Sequence, residues 1–207
     1  MATKPILFNT EMVRALLDGR KSCTRRLVKP QPQGYFEVSE EPLYIYEAGK
    51  QGKITPPYQL GDILYVRETF IQAAAHIFWY KADDKPWMSK DLLWKPSIHM
   101  PKEAARIWLK VTDVRVERLQ EMKPVDVIKE EAYPDCWDCL DTYEESGSQC
   151  CYGTEEQCSQ CDAVMMEWEK LWNSTVKKSD LDCYGWNANP WVWVIEFERC
   201  KKPKGEN

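Results

Sequence analysis

Residues Arg106 to Leu119 read RIWLKVTDVRVERL and form the clearest period-two pattern in the chain. Ile107, Leu109 and Val111 share one face, whereas Val114 and Val116 fall one step out of phase. The slip at Thr112–Asp113 predicts a β-bulge or a bend. A strand of this length needs partners, and the chain offers several. KPILFN (Lys4 to Asn9) reads as a short strand near one end. LGDILYVRETF (Leu60 to Phe70) reads as a turn into another. NPWVWVIEFERC closes the set, with Trp191, Trp193, Ile195 and Phe197 alternating with Val192, Val194 and Glu196. The segment from Tyr35 to Lys53 is compatible with a weak hairpin.

Only three stretches carry helical spacing. In TEMVRALLDGR, Thr10 is the expected cap, Met12, Val13, Leu16 and Leu17 form the apolar face, and Gly19 ends the helix. KPVDVIKEEAY places a proline at a suitable first helical position. DAVMMEWEKLWN brings Val164, Met165, Trp168, Leu171 and Trp172 to one side. Strands at both ends, a long central strand and few helices predict an α+β chain: a mixed β-barrel with peripheral helices.

With 207 residues, 43% of them hydrophobic, the chain suits one domain with an insertion, or one and a half domains. Most of the ten tryptophans are expected in the core. The net charge of −5 argues against coating duplex DNA by bulk charge, but leaves room for a small basic pocket. No stretch reaches the ~20 apolar residues of a membrane helix, and the first residues lack the apolar run of a secretory signal. Nine cysteines without such a signal point to thiols or metal rather than disulfides, in a cytoplasmic protein.

Cys136 and Cys139 make one C-x-x-C, and Cys158 and Cys161 make another, with eighteen residues between the pairs. That spacing fits a four-cysteine structural zinc site, because each turn presents two thiolates and two turns complete a tetrahedron. Either Cys150 or Cys151 could replace one ligand, and the alternative is an irregular loop with free thiols. The polar, cysteine-rich residues 134–161 therefore read as an inserted zinc-binding lobe.

LLDGRKSCTRR, Leu16 to Arg26, poses the functional question. A cationic stretch after a helix is either solvated surface, favoured there by the helix dipole, or the wall of a pocket. Lys21 and Thr24, three residues apart, have the chemistry of a base and a nucleophile. A neutral lysine accepts a hydroxyl proton once burial or a cationic neighbour such as Arg26 lowers its pKa. Trp186, Asn189 and Trp191 in GWNANPW are candidates for a base-sized slot, the rings by stacking and the amide by reading a base edge. Arg67 and Glu68, at the end of a strand, are either pocket residues or a surface pair.

LLDGRKSCTRR, GDILYVRETF, VIKEEAY and NPWVWVIEF occur in this order, and together they resemble the ASCH superfamily, whose domain is related to the PUA domain. The pattern is most similar to ASCH proteins of phages and prophages. The resemblance implies a small β-barrel with flanking helices over 1–133 and 162–200, interrupted by the lobe at 134–161 and followed by a polar tail at 201–207. It implies binding of a nucleoside, nucleotide or RNA. At the motif level the chain also looks like a small bacterial branch that hydrolyses N4-acetylcytidine with a lysine, a threonine and a glutamate. These fall on Lys21, Thr24 and Glu131, with Glu130 one step away. The chain departs from that branch in being longer and in carrying the lobe directly after Glu131. Two functions follow: an amidohydrolase of an acylated pyrimidine nucleoside, or a non-catalytic module binding RNA or a modified base, with Arg26, Arg67, Glu68, Trp186, Asn189 and Trp191 around the ligand.

Overall fold

The computed structural model describes residues 2–39, 42–49, 52–83, 85, 92–130 and 159–203. The strands are β1 (Thr3–Leu7), β2 (Cys23–Leu27), β3 (Phe36–Ser39), β4 (Tyr44–Glu47), β5 (Ile63–Arg67), β6 (Phe70–Ala74), β7 (Ile77–Tyr80), β8 (Trp108–Arg118) and β9 (Trp191–Cys200). The main helices are α1 (Thr10–Leu17), α2 (Pro124–Lys129) and α3 (Ser159–Thr175). A five-stranded sheet has the order β1-β5-β8-β9-β2, and β3-β4 and β6-β7 form separate hairpins. The fold is thus mixed and sheet-dominated, with a few helices. No helix of the described residues is long and apolar enough to cross a membrane.

The chain divides into two compact units. The first comprises Met1–Ser22, Pro57–Val114 and Ile195–Asn207. Here β1 runs parallel to β5, from Thr3↔Ile63 to Leu7↔Arg67, and β5 runs antiparallel to β8, with Leu64 opposite Leu109. The alternation read from the sequence is what this pairing buries: Ile107, Leu109 and Val111 are all in the core. β8 continues through Thr112–Asp113 as one strand, and the division between the units falls just beyond, after Val114. Helix α1 buries Val13, Ala15 and Leu16. Its cap is Asn9 rather than the expected Thr10: the Asn9 side chain accepts a hydrogen bond from the Met12 amide at 2.8 Å. The amide side chain satisfies a donor that would otherwise be orphaned in the first turn. Gly19, at φ +80°, adopts the left-handed conformation that ends the helix as expected.

The second unit comprises Cys23–Pro56 and Arg115–Val194. Its core joins Leu119, Met122 and Val127 to Val164, Trp168 and Trp172 of α3 and to Val192 and Val194 of β9. The apolar side of α3 is the one its 3.6-residue spacing predicts, with Met165 and Leu171 half-buried at its margin. The β3-β4 hairpin pairs Phe36 with Glu47 and Ser39 with Tyr44. The buried Glu47 carboxylate anchors the chain entering this hairpin by accepting from the amides of Gln33 and Gly34, both at 3.0 Å.

Candidate functional site

The basic stretch is not a solvated loop. Arg20 is exposed and pairs with Asp18, but the next residues turn inward. Lys21 is 4% exposed, Thr24 1% and Arg25 3%. Burying charged and hydroxyl groups is costly unless each finds partners, so this burial calls for an explanation. Cys23–Leu27 is strand β2, which the sequence pattern missed. CTRRL has no hydrophobic alternation, and its place is set by the neighbouring strand β9. The chain leaves β2 with the Val28 amide donating to the Trp191 carbonyl at 3.0 Å.

Lys21 belongs to the first unit. Its amide donates to the Ala15 carbonyl at 3.2 Å, and its Nζ lies 5.2 Å from the centre of the Phe8 ring. Phe8 packs in turn on Phe197, at 6.1 Å between centroids. The lysine ammonium therefore lies beside an aromatic ring.

Thr24, Arg25 and Arg26 belong to the second unit. Thr24 Oγ1 accepts from Arg26 Nη1 at 3.1 Å, and the same nitrogen donates to the Arg25 carbonyl at 3.1 Å. Arg25 faces a carboxylate cluster. Its Nη1 donates to Glu130 Oε1 at 2.7 Å, and its backbone amide donates to Glu130 Oε2 at 3.2 Å. Its Nη2 lies 3.6 Å from both Glu117 and Asp126. Burial works against the guanidinium charge, but Glu130 outweighs it through charge and hydrogen bonding, and Arg25 is held above the usual arginine value. Glu130 itself is 3% exposed, just past α2, with its amide donating to the Asp126 carbonyl at 3.0 Å.

The glutamate seen beside β2 is thus Glu130, one step before the expected Glu131. Glu131 lies outside the described residues, as do Cys136, Cys139 and Cys158 and the side chain of Cys161. Sequence reasoning also passed over Arg25, Glu117 and Asp126. The signal for Arg25 was its position next to Thr24, but its partner Glu130 is 105 residues away and no local spacing links them.

The remaining candidates are engaged with protein groups. In the first unit, Arg67 Nε donates to the Met100 carbonyl at 2.8 Å, and its Nη2 donates to the Ile98 carbonyl. Glu68, 1% exposed, takes Arg106 in a fork, with Nε at 2.8 Å and Nη2 at 2.9 Å. Arg106 also reaches Asp83 at 2.6 Å and lies over the Tyr80 ring at 3.9 Å. In the second unit, Asn189 Oδ1 accepts from the Gln120 amide at 2.8 Å, and the Asn189 carbonyl accepts from Arg118 at 2.9 Å. Trp191 meets the Phe36 ring edge-on at 4.8 Å and carries the Arg118 guanidinium at 4.3 Å. Trp186 packs against the α3 core, and its amide donates to Asn173 Oδ1 at 2.9 Å.

No known family pattern matches the chain, and no curated protein does either. Among solved structures it is similar to the crystal structure of an ASCH domain from Lactobacillus crispatus JV V101, at 9% identity, covering 96% of this chain and 79% of that one, with a TM-score of 0.38.

Proposed function

We propose that the protein is an ASCH-type, PUA-like domain that binds a nucleobase-bearing ligand at the second unit, beside β2. The observation that carries this reading is the burial of Thr24, Arg25 and Glu130 together. A guanidinium and a carboxylate withdrawn from water and hydrogen-bonded to each other, next to a buried hydroxyl that accepts from Arg26, form a preorganised polar set, of the kind that reads a small polar ligand. The ordered motifs that resemble the ASCH superfamily support a base or nucleotide as that ligand. The four-cysteine zinc lobe is part of the proposal. Protein purified without added metal is expected to carry about one zinc per chain by elemental analysis, because four thiolates close a structural site; a zinc-free, fully folded protein would remove the lobe from the reading.

A second reading, hydrolysis of an N4-acylated cytidine, is favoured by one observation: Lys21 and Thr24 are both buried. General-base chemistry requires the neutral form of a lysine. Turnover of N4-acetylcytidine should then fall by about 10²-fold or more in Lys21→Ala and in Thr24→Ala, because loss of a base or nucleophile removes an interaction of the transition state. Glu130→Gln and Glu131→Gln, assayed side by side, identify the glutamate. A wild type with no turnover that still binds cytidine leaves the binding module alone standing. A wild type that neither turns over nor binds cytidine, N4-acetylcytidine or RNA refutes both readings.

A further inference from the structure

We infer that the cleft flanking β2 in the second unit is a phosphate subsite, so that the ligand enters as a nucleoside monophosphate rather than as a free nucleoside. The inference rests on the reading that this unit takes a nucleobase-bearing ligand, and it adds the chemistry of the other half of that ligand.

The cleft has a volume of about 330 Å³ and is lined by Arg25, Arg26, Lys29, Trp172, Lys177 and Tyr184, among others. That volume is near the lower end for small-molecule sites and suits one nucleotide rather than a duplex. Its charge is opposite to that of the chain as a whole. The protein carries −5, yet Arg26, Lys29 and Lys177 gather here, against one carboxylate, Asp180, among the described residues of the lining. Asp180 is partly occupied, since its Oδ1 accepts from the Ser179 hydroxyl at 2.7 Å. Arg25, the fourth cation, is already paired: Glu130 accepts from its Nη1 at 2.7 Å, and Glu117 and Asp126 each lie 3.6 Å from its Nη2. Arg25 therefore belongs to the wall of the cleft, and the side chains that offer charge to an anion are the exposed Lys29 and Lys177.

The apolar side of the cleft is aromatic. Lys29 Nζ stands 5.1 Å from the centre of the Tyr184 ring, and Trp172 is fixed below by its Nε1 donating to the Tyr184 carbonyl at 2.9 Å. A cation beside an aromatic ring is a pairing that suits nucleotides: a phosphate for the charge and a planar base for the ring. A free nucleoside would bring no counter-charge to Lys29 and Lys177. A phosphate monoester supplies about −1.5 to −2 charge at neutral pH.

Titration calorimetry at low salt tests this with four probes: cytidine 5′-monophosphate, cytidine, inorganic phosphate and a short single-stranded RNA. Wild type is compared with Lys29→Glu/Lys177→Glu. Both lysines are exposed, so the double variant is expected to fold, which circular dichroism checks before binding is measured. The monophosphate is expected to bind at least about tenfold more tightly than cytidine, as a few charge-assisted contacts allow, and the double variant to lose that advantage, so that monophosphate and cytidine bind it equally. Inorganic phosphate should compete with the monophosphate. Equal affinity for monophosphate and cytidine, or a preference that survives the double variant, overturns the inference and leaves the base-binding reading intact. Lysine-dependent binding of inorganic phosphate without any binding of nucleoside or nucleotide keeps the anion subsite and defeats the base reading. Lysine-dependent binding of RNA with none of the monophosphate assigns the cleft to a polynucleotide and overturns the mononucleotide claim. Binding of none of the four overturns it outright.

Discussion

Arg25→Ala is expected to destabilise the second unit by about 3–5 kcal/mol, the range for breaking a fully buried ion pair by removing one partner. The cost comes less from the lost bond than from what stays behind. Glu130 is 3% exposed and accepts from the Arg25 side chain at 2.7 Å, so the variant strips a buried carboxylate of the guanidinium paired with it. Glu117 and Asp126, each 3.6 Å from Arg25 Nη2, would add repulsion. Arg25→Lys should restore only part of the loss, because a point charge cannot span three carboxylates as a planar fork does. Arg25→Met with Glu130→Leu separates structure from function. An apolar pair of similar volume is often neutral or stabilising in such a place. Recovery of the urea midpoint together with loss of ligand binding would show that the pair serves the ligand. A double variant as unstable as Arg25→Ala would show that it serves the fold.

In the first unit, Arg106→Ala is expected to cost about 3 kcal/mol at neutral pH, the low end of that range, because Arg106 keeps part of its surface in water. Here the stranded group is Glu68. Burial pushes the Glu68 carboxyl above the ordinary glutamate value; the hydrogen bonds and charge of Arg106 pull back part of the rise, and Asp83 adds to it. An acid whose pKa is raised by folding contributes its stability below the unfolded value and loses it as pH rises through the folded value. Removing Arg106 lifts Glu68 further. The deficit of the variant should therefore be small in acid and grow as pH rises from the ordinary glutamate range toward neutrality. Urea unfolding of wild type and variant at pH 5 and 7.5 measures this. Adding Glu68→Gln should flatten the dependence. A deficit equal at both pH values would assign the cost to lost packing of Arg106 on Tyr80 instead.

Where burial follows from local periodicity, the sequence was readable. Val13 and Leu16 of α1, the Ile107–Leu109–Val111 face of β8 and the Val164–Trp168–Trp172 side of α3 are buried as their spacing predicts. The hairpins are a graded case. β3-β4 was visible as a weak signal. β6-β7 was not, because FIQAA and IFWY are short and only half-patterned, and Phe70↔Tyr80 pairing supplies what local propensity does not.

The charged residues are the opposite case. CTRRL reads as surface by composition, and only pairing in the sheet and the approach of Glu130 make it a buried strand. Arg106 closes on Glu68 across 38 residues for the same reason. The sequence by itself determined which stretches are helix and long strand, because a repeat of 2 or 3.6 residues is a local property. The tertiary structure alone decided which charges are buried, since a charge is tolerated inside only where distant parts of the chain bring it a partner.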